Sequence, residues 1–225
     1  MSIPDYVIYR SKRRTVRLTL RTNGTFAVYC PMKYPKKDIE ALIEKHSASL
    51  ISKMQARSDE LFTVVNGCET LPLLGKRYPL TFGSVKYFTF DGEKFISPVT
   101  EREAVRELYR EYLRATLKSM LPPMADDISS RFGLHYNGIT VKAIFSKYGS
   151  CSSKKHLNFT LALAAFDTEF IRYVVSHELC HTVHMDHSTK FYKLLDKVCP
   201  EHRSIKENGR KQRSVILKAI LYRPA

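Results

Sequence analysis

The sequence predicts an α+β fold in two parts, a β-rich region with one helix over residues 1–98 and a mixed region over residues 99–225. Short runs of alternating apolar and polar residues, separated by Gly, Pro and Asn, dominate the first part and indicate β-strands. Apolar residues at helical spacing dominate the second part. Pro98 lies where the pattern changes, and we place the boundary there.

The first part begins with a predicted β-hairpin. The run TVRLTL alternates, Thr22-Asn23-Gly24 supplies a turn, and TFAVYC forms the return strand. Isoleucines and leucines at helical spacing then predict a helix from Lys36 to about Gln55. Short strands follow over residues 61–97, with a turn at Asp91-Gly92.

The second part begins with the run EREAVRELYREYLRATLKSM, which predicts an amphipathic helix with acidic residues in its first turn. Pro122-Pro123 is expected to break this helix, and a second helix is expected to run to about Arg131. Residues 138–163 predict two strands around a polar turn. Further helices are expected over 168–184, from Ser188 onward, and over 202–222.

The formal net charge of +15 is the strongest compositional signal. It is concentrated at the two ends, in Arg10, Lys12, Arg13, Arg14, Arg17 and Arg21, and in Arg203, Lys206, Arg210, Lys211, Arg213, Lys218 and Arg223. A polyanionic partner such as nucleic acid or a nucleotide is one interpretation of this pattern. A solvated basic surface that aids solubility is the other.

Several classes of protein are disfavoured. No apolar run is long enough to span a membrane, and the stretch MSIPDYVIYRSKRRT lacks the apolar core of a signal peptide. The five cysteines are widely spaced without a C-x-x-C pair, which argues against a disulfide framework or a cysteine zinc ribbon. We therefore expect a cytoplasmic protein with reduced thiols. The oligomeric state is not indicated.

The stretch HELCHTVHMDHSTKF, residues 177–191, contains four histidines. On a helix, His177 and His181 lie one turn apart on one face, so that a single metal ion can bind both. Glu178 points roughly 100° away from His177. It is better placed to take a proton from a water molecule than to bind the metal. This is the H-E-x-x-H arrangement of metallohydrolases.

The third ligand follows from the end of the helix. His184 lies about 10 Å along the same helix from His177, too far to share an ion with it. Ser188 is a predicted N-cap, and a turn at 184–186 would fold His187 back toward the metal. We therefore predict His187 as the third ligand and His184 as a turn residue or a group that supports a ligand.

Alternative assignments were weighed. Glu201 or Glu207 could be a distant glutamate ligand, but neither has a distinctive sequence context. Cys180 points away from the histidine face and is expected to be a small buried apolar residue. Cys151 as a nucleophile is supported only by Gly149 and the neighbouring serines.

Five segments in order resemble the YgjP-like family of zinc-dependent metallopeptidases. They are LPLLGKRYPL (71–80), KYGSCSS (147–153), HLNFTLAL (156–163), YVVSHELCH (173–181) and DHSTKFY (186–192). The N-terminal run SKRRTVRL and the helix after Pro35 also fit, so the resemblance covers nearly the whole chain. The family is distantly related to SprT-type proteases, which act on DNA-bound proteins, and some members have been assigned as nucleoside triphosphate pyrophosphatases.

The resemblance implies a zincin-like catalytic core with an active-site helix, on which the β-rich region packs. It implies one Zn²⁺ per chain, bound by His177, His181 and His187, with Glu178 as the catalytic base. The segment formed by Lys147, Tyr148, Gly149 and Ser150 is the candidate substrate-binding stretch. The family has Arg-Trp where this chain has Lys147-Tyr148, so a cation and an aromatic ring remain but the planar fork of arginine is lost.

We consider three functions. The first is a zinc peptidase that acts on a peptide or protein substrate, which pairs with an edge strand such as 156–163. The basic ends would then tether the enzyme to nucleic acid or to acidic substrates. The second is a metal-dependent nucleoside triphosphate pyrophosphatase with Lys147 on phosphate, although the sequence has no glycine-rich phosphate loop. The third is a nucleic-acid-binding module with a structural metal, although Glu178 lies where a base is needed.

Overall fold

The computed structural model describes residues 3–21, 24–59 and 61–221. Within these ranges, side chains are described for all residues except 54–59 and 210–218. It forms two compact units, Met1–Glu60 with Leu221–Ala225, and Leu61–Ile220. Several sheets and helices confirm the predicted α+β class. The boundary predicted at residue 98 lies inside the second unit, because the strands between residues 63 and 97 belong with the later helices.

The first unit contains a small three-stranded sheet and one helix. Its elements are β1 (Tyr6–Ser11), β2 (Arg17–Leu20), β3 (Phe26–Pro31) and α1 (Lys36–Asp59). The predicted hairpin of β2 and β3 is confirmed as an antiparallel pair, and its turn residues Thr22 and Asn23 lie outside the described residues. β1 adds to β3 in parallel. Alternate residues of β3 face one way and form a core with Ile39 and Ile43 of α1.

The second unit begins with a five-stranded sheet. Its strands are β4 (Thr63–Val65), β5 (Cys68–Leu73), β6 (Lys76–Phe82), β7 (Thr89–Phe90) and β8 (Phe95–Ser97), in the order β4-β5-β6-β8-β7. Phe95 packs its ring edge-on against Tyr109 and Tyr112 of the following helix. These aromatic contacts join the sheet to the helical part of the same unit.

Helix α2 runs without interruption from Arg102 to Phe132, and the break predicted at Pro122-Pro123 is wrong. A buried stripe continues at helical spacing on both sides of the prolines, in Leu117, Leu121, Ala125 and Ile128. Each proline removes one backbone donor, and burial of this stripe offsets that loss.

A second sheet contains β9 (Gly138–Lys142), β10 (Gly149–Cys151) and β11 (His156–Thr160), in the order β10-β11-β9. The prediction that residues 156–163 form an edge strand is therefore wrong. β11 is paired on both sides, and a short 3-10 helix, Leu161–Ala165, follows it. The edge strand of this sheet that contacts the helix of residues 168–180 is β10, which contains Gly149 and Ser150.

Helices α3 (Thr168–Cys180), α4 (Thr189–Val198) and α5 (His202–Leu221) complete the unit. α3 ends earlier than residue 184, because the amides of Thr182 and Val183 bond to carbonyls three residues back rather than four. Ser188 caps α4 by accepting a hydrogen bond from the Phe191 amide, as predicted. Among the described residues, no helix combines the length and the apolar character that a membrane span requires.

Helix α5 is fixed against α2 and α3. The buried side chains of Arg106 and Arg110 donate hydrogen bonds to the carbonyls of Ala219 and Ile220, at 2.9 and 2.6 Å. Near its middle, Gly209 lies so close to Phe170 that a β-carbon there would be 2.1 Å from a ring atom. Since only glycine permits this approach, the first turns of α5 are held beside α3.

Candidate metal centre

Helix α3 presents the H-E-x-x-H residues from a buried position. Ile171, Val175 and Leu179 are fully buried in the core, which fixes the rotation of the helix. His177 lies in the last turn of α3, and His181 is the first residue after it. The sequence therefore places both imidazoles at the open end of an otherwise buried helix.

Three histidine rings meet at one point. The Nε2 atom of His177 lies 3.2 Å from the Nε2 atom of His181 and 3.2 Å from that of His187. One nitrogen from each of the three rings lies within 4.8 Å of the other two. His184 is not part of this group. The turn after α3 thus brings together the three histidines that the sequence predicted as ligands.

The same turn orients His181. Its Nδ1 atom lies 2.9 Å from the backbone carbonyl of His184, which can only accept a hydrogen bond. Nδ1 therefore carries the proton, and Nε2 keeps its lone pair for a metal. His184 supports the site through its main chain.

Phe191, in the first turn of α4, packs against all three histidine rings. Its ring centroid lies 4.9, 4.4 and 5.0 Å from those of His177, His181 and His187. The side chain is fully buried. Sequence reasoning missed this residue, although its position three residues after the predicted cap of α4 marks it as inward-facing.

The imidazoles of His177 and His181 are held in the neutral form. Burial, with smaller contributions from His181 and His187, lowers the pKa of His177 to about 3. Burial also lowers the pKa of His181. Neutral imidazole is the form that binds metals, so the protein need not expel protons from these two rings near pH 7.

Glu178 lies beside the cluster and is only 5% exposed. Burial raises the pKa of its carboxyl group to about 7, against the opposing effects of Lys147 and of a hydrogen bond from the Cys151 amide. Gly149 of β10 lies against this carboxylate, with no room for a side chain between them. Glu178 is thus clamped between α3 and the edge strand.

The donor set fits a divalent metal ion. Nitrogen ligands of a tetrahedral zinc ion, bound at ~2.0–2.1 Å, are about 3.3 Å apart. The Nε2 separations of 3.2 Å match this spacing. Among the described residues, no carboxylate or thiol joins the three histidines in this group. Neither Glu201, Glu207 nor Cys180 is brought to it, and burial raises the pKa of the Cys180 thiol to about 12.

A cavity of about 490 Å³ opens over the histidines and Glu178. All four residues predicted for substrate binding line it, namely Lys147, Tyr148, Gly149 and Ser150. Its other lining residues include Cys151, whose thiol pKa is raised by burial, and Lys206 of α5. From the sequence, Lys206 is only one of the basic residues near the C-terminal end. Its position at this cavity depends on how α5 packs, which the local sequence does not show.

Comparison with known families shows which family this chain belongs to. The family described as YgjP-like, metallopeptidase domain, matches residues 14–210. The chain belongs to the YgjP-like family. It is a metal-dependent hydrolase, and the metallopeptidase domain implies a peptide or protein substrate. The predicted resemblance is confirmed.

Two solved structures share local similarity with this YgjP-like chain. One is the metallopeptidase zymogen abylysin of Pyrococcus abyssi, with 18% identity and a TM-score of 0.39, covering 41% of this chain and 93% of that one. The other is the zymogen jannalysin of Methanocaldococcus jannaschii, with 22% identity and a TM-score of 0.37, covering 41% of this chain and 95% of that one. Comparison with curated proteins gives no match.

The basic ends of the YgjP-like chain are described only in part. Arg10 donates hydrogen bonds to three backbone carbonyls at and after the end of β3. Arg13 and Arg21 lie over tyrosine rings, at 5.9 and 5.2 Å from the centroids. The side chains of residues 210–218 lie outside the described part. Association with nucleic acid stays a prediction.

Gly149→Ala is expected to displace the carboxylate of Glu178, the predicted base. The new methyl group would lie 2.8 Å from the Cγ and Oε1 atoms of Glu178, so the carboxylate must shift. We expect the turnover number to fall up to roughly 100-fold, since small misplacements of reacting groups cost that much. Metal content should be unchanged. Kinetic assay and metal analysis check both points. Gly83→Ala, whose methyl meets Ile96 at an ordinary 3.5 Å, is the control.

Proposed function

We propose that this YgjP-like domain is a zinc-dependent peptidase in which His177, His181 and His187 hold one zinc ion and Glu178 is the general base. The observation that carries the proposal is the convergence of three Nε2 atoms at the floor of an open cavity, next to a buried carboxylate. Three imidazole ligands leave a fourth position open, as catalytic zinc sites do.

Zinc is favoured over the divalent ions that prefer oxygen ligands by the donor chemistry. Mg²⁺, Ca²⁺ and Mn²⁺ prefer oxygen ligands, whereas imidazole nitrogens suit zinc. Among the described residues the cluster offers only imidazoles. When bound, zinc supplies a Lewis acid that polarises a peptide carbonyl and lowers the pKa of a water molecule toward neutrality.

Glu178 performs the proton transfers. Its carboxylate accepts the proton of the attacking water, and the resulting acid donates it to the departing amine. A pKa raised to about 7 by burial suits a group that must do both near neutral pH. A cation at the neighbouring histidines favours the charged carboxylate, which is the form that starts the reaction.

The edge strand β10 offers backbone groups to an extended substrate. The Tyr148 carbonyl accepts a hydrogen bond from the Thr160 amide, and the Ser152 amide donates one to the His156 carbonyl. Because hydrogen-bonded and non-hydrogen-bonded residues alternate in an antiparallel pair, the backbone groups of Gly149 and Cys151 point away from β11. Both residues line the cavity beside the metal-binding histidines. We expect a peptide to add to this edge as a further strand, with its scissile carbonyl at the zinc.

The two other functions remain alternatives. A nucleoside triphosphate pyrophosphatase would place its phosphates against Lys147 and Lys206, the described cations that line the cavity. Such enzymes use Mg²⁺, and the described residues around the cavity include no cluster of carboxylates to bind it. A nucleic-acid-binding module with a structural metal would not need Glu178 beside an open cavity.

The proposal is tested with the full chain loaded with zinc. Metal analysis should find about one zinc per chain. The loaded protein is assayed in parallel on unstructured peptides, with and without DNA, and on nucleoside triphosphates. We expect hydrolysis of peptides, lost on chelation and restored by zinc. Hydrolysis of nucleoside triphosphates without hydrolysis of any peptide would overturn the proposal in favour of the pyrophosphatase.

A further inference from the structure

A second cavity, here called the α5 cavity, adjoins the metal centre. It has a volume of about 460 Å³ and is lined by Tyr173, His177, Tyr192, Leu195, His202, Arg203, Lys206 and Glu207. Tyr173, His177 and Lys206 also line the cavity over the metal centre. The two spaces therefore meet at a metal-binding histidine, and a substrate residue in the α5 cavity would lie close to the scissile bond.

Part of the wall of the α5 cavity is built from buried groups. His202 is only 3% exposed, and its Nε2 atom lies 2.9 Å from the Asp196 carboxylate. Tyr173 is 7% exposed, and Leu195 is buried. One turn beyond Lys206, the close approach of Gly209 to Phe170 holds α5 against α3. The buried part of the wall is therefore in place before any substrate binds.

The charges of the α5 cavity favour an anion. The Asp196 carboxylate lies 2.9 Å from His202 Nε2 and 4.0 Å from the Arg203 guanidinium, so its charge is already paired. Lys206 forms no ion pair with any described residue, and its side chain lines both cavities. The remaining lining carboxylate, Glu207, is exposed, as Lys206 is, and its side chain leaves the helix roughly 100° around from that of Lys206. A free ammonium group at the junction is thus left to bind a ligand.

We propose that the α5 cavity is a substrate subsite that binds a carboxylate, with Lys206 as the anion-binding residue. The carboxylate belongs to an Asp or Glu side chain next to the scissile bond, or to the C-terminus of the peptide. The Lys206 ammonium group donates charge-assisted hydrogen bonds to it, and the tyrosines pack against its aliphatic part. This inference rests on the proposed peptidase function and names its substrate class.

The test compares zinc-loaded full-length wild type with Lys206→Glu and Lys206→Met. Substrates are peptides that differ at one position near the cleaved bond, with Glu, Gln or Lys, each made with a free or an amidated C-terminus. We expect the wild type to prefer a carboxylate by roughly 10-fold in kcat/KM, and Lys206→Glu to reverse the preference toward Lys. Lys206→Met should show none. Lys118→Glu, an exposed lysine of α2 outside both cavities, is the control.

Binding is measured separately from cleavage. Fluorescence anisotropy records the affinity of the same peptides for zinc-loaded Glu178→Gln, alone and combined with Lys206→Glu. A preference for free over amidated C-termini identifies the terminal carboxylate, and a preference for Glu over Gln identifies a side chain; both support the subsite. Metal content equal to that of wild type shows that the variants retain the site.

The two proposals fail in different ways. Cleavage of peptides with the same preference in wild type and Lys206→Glu would overturn the subsite and leave the peptidase standing. Binding that reverses with Lys206→Glu, without cleavage of any peptide by wild type, would support the subsite for carboxylates and count against the peptidase. A cleavage preference for carboxylates that persists in Lys206→Met would also overturn the subsite.

Discussion

Glu178→Gln is expected to reduce peptide hydrolysis by roughly 10²–10⁴-fold while leaving the metal bound, because an amide cannot take a proton from water. The substitution preserves the volume of the side chain beside Gly149, and its amide oxygen can still accept the hydrogen bond of the Cys151 amide. The side chains of His177, His181 and His187 are not changed. Steady-state kinetics and metal analysis on the same preparation measure the two quantities.

Glu169→Gln is the matched control for this prediction. It makes the same change of side chain in the first turn of the same helix, at an exposed position. We expect it to have wild-type kinetics. If Glu178→Gln retained full activity with normal metal content, another group would have to be the base, and the proposed mechanism would be wrong.

His187→Ala is expected to weaken zinc binding by more than roughly 100-fold. Loss of a residue that only hydrogen-bonds to a ligand costs up to about 100-fold, and loss of a direct ligand should cost more. The substitution removes one of three Nε2 donors. His184→Ala should bind zinc much as wild type does, because His184 supports His181 through its backbone carbonyl, which alanine retains. Competition with a chelator measures the affinities.

Thermal unfolding gives an independent measurement of the same two variants. A ligand that binds only the folded state raises the unfolding temperature in proportion to the logarithm of its concentration over Kd. Excess zinc should therefore stabilise wild type and His184→Ala far more than His187→Ala. The reverse order, with His184→Ala losing zinc and His187→Ala retaining it, would transfer the third-ligand role to His184.

The site was predictable from sequence to the extent that its geometry is local. His177 and His181 are separated by one helical turn, and Ser188 as the cap of the next helix indicated that the chain turns before His187. Spacing along the chain therefore indicated which rings would meet. The position of Glu178 beside these rings was predictable from the same helix, because adjacent helical residues differ in direction by about 100°.

Features set by distant parts of the chain were not predictable in this way. The continuity of α2 through Pro122-Pro123 depends on a buried stripe that extends on both sides of the prolines. β10, not β11, became the edge because β9 pairs with β11 on the other side. Lys206 lines the cavity over the histidines because of how α5 packs, with Gly209 close to Phe170 of α3. Pairing order and helix contact are tertiary choices that a local pattern does not encode.

If a peptide adds to β10 as proposed, the short length of this strand limits how much of the peptide backbone the enzyme can bind. The strand has three residues, and one of its two outward amides, that of Cys151, is already engaged by Glu178. An extended peptide can therefore form backbone hydrogen bonds with little more than Gly149 and the Cys151 carbonyl. A protease with so small a main-chain footprint must select by side chains near the cut, and it should tolerate almost any sequence a few residues away.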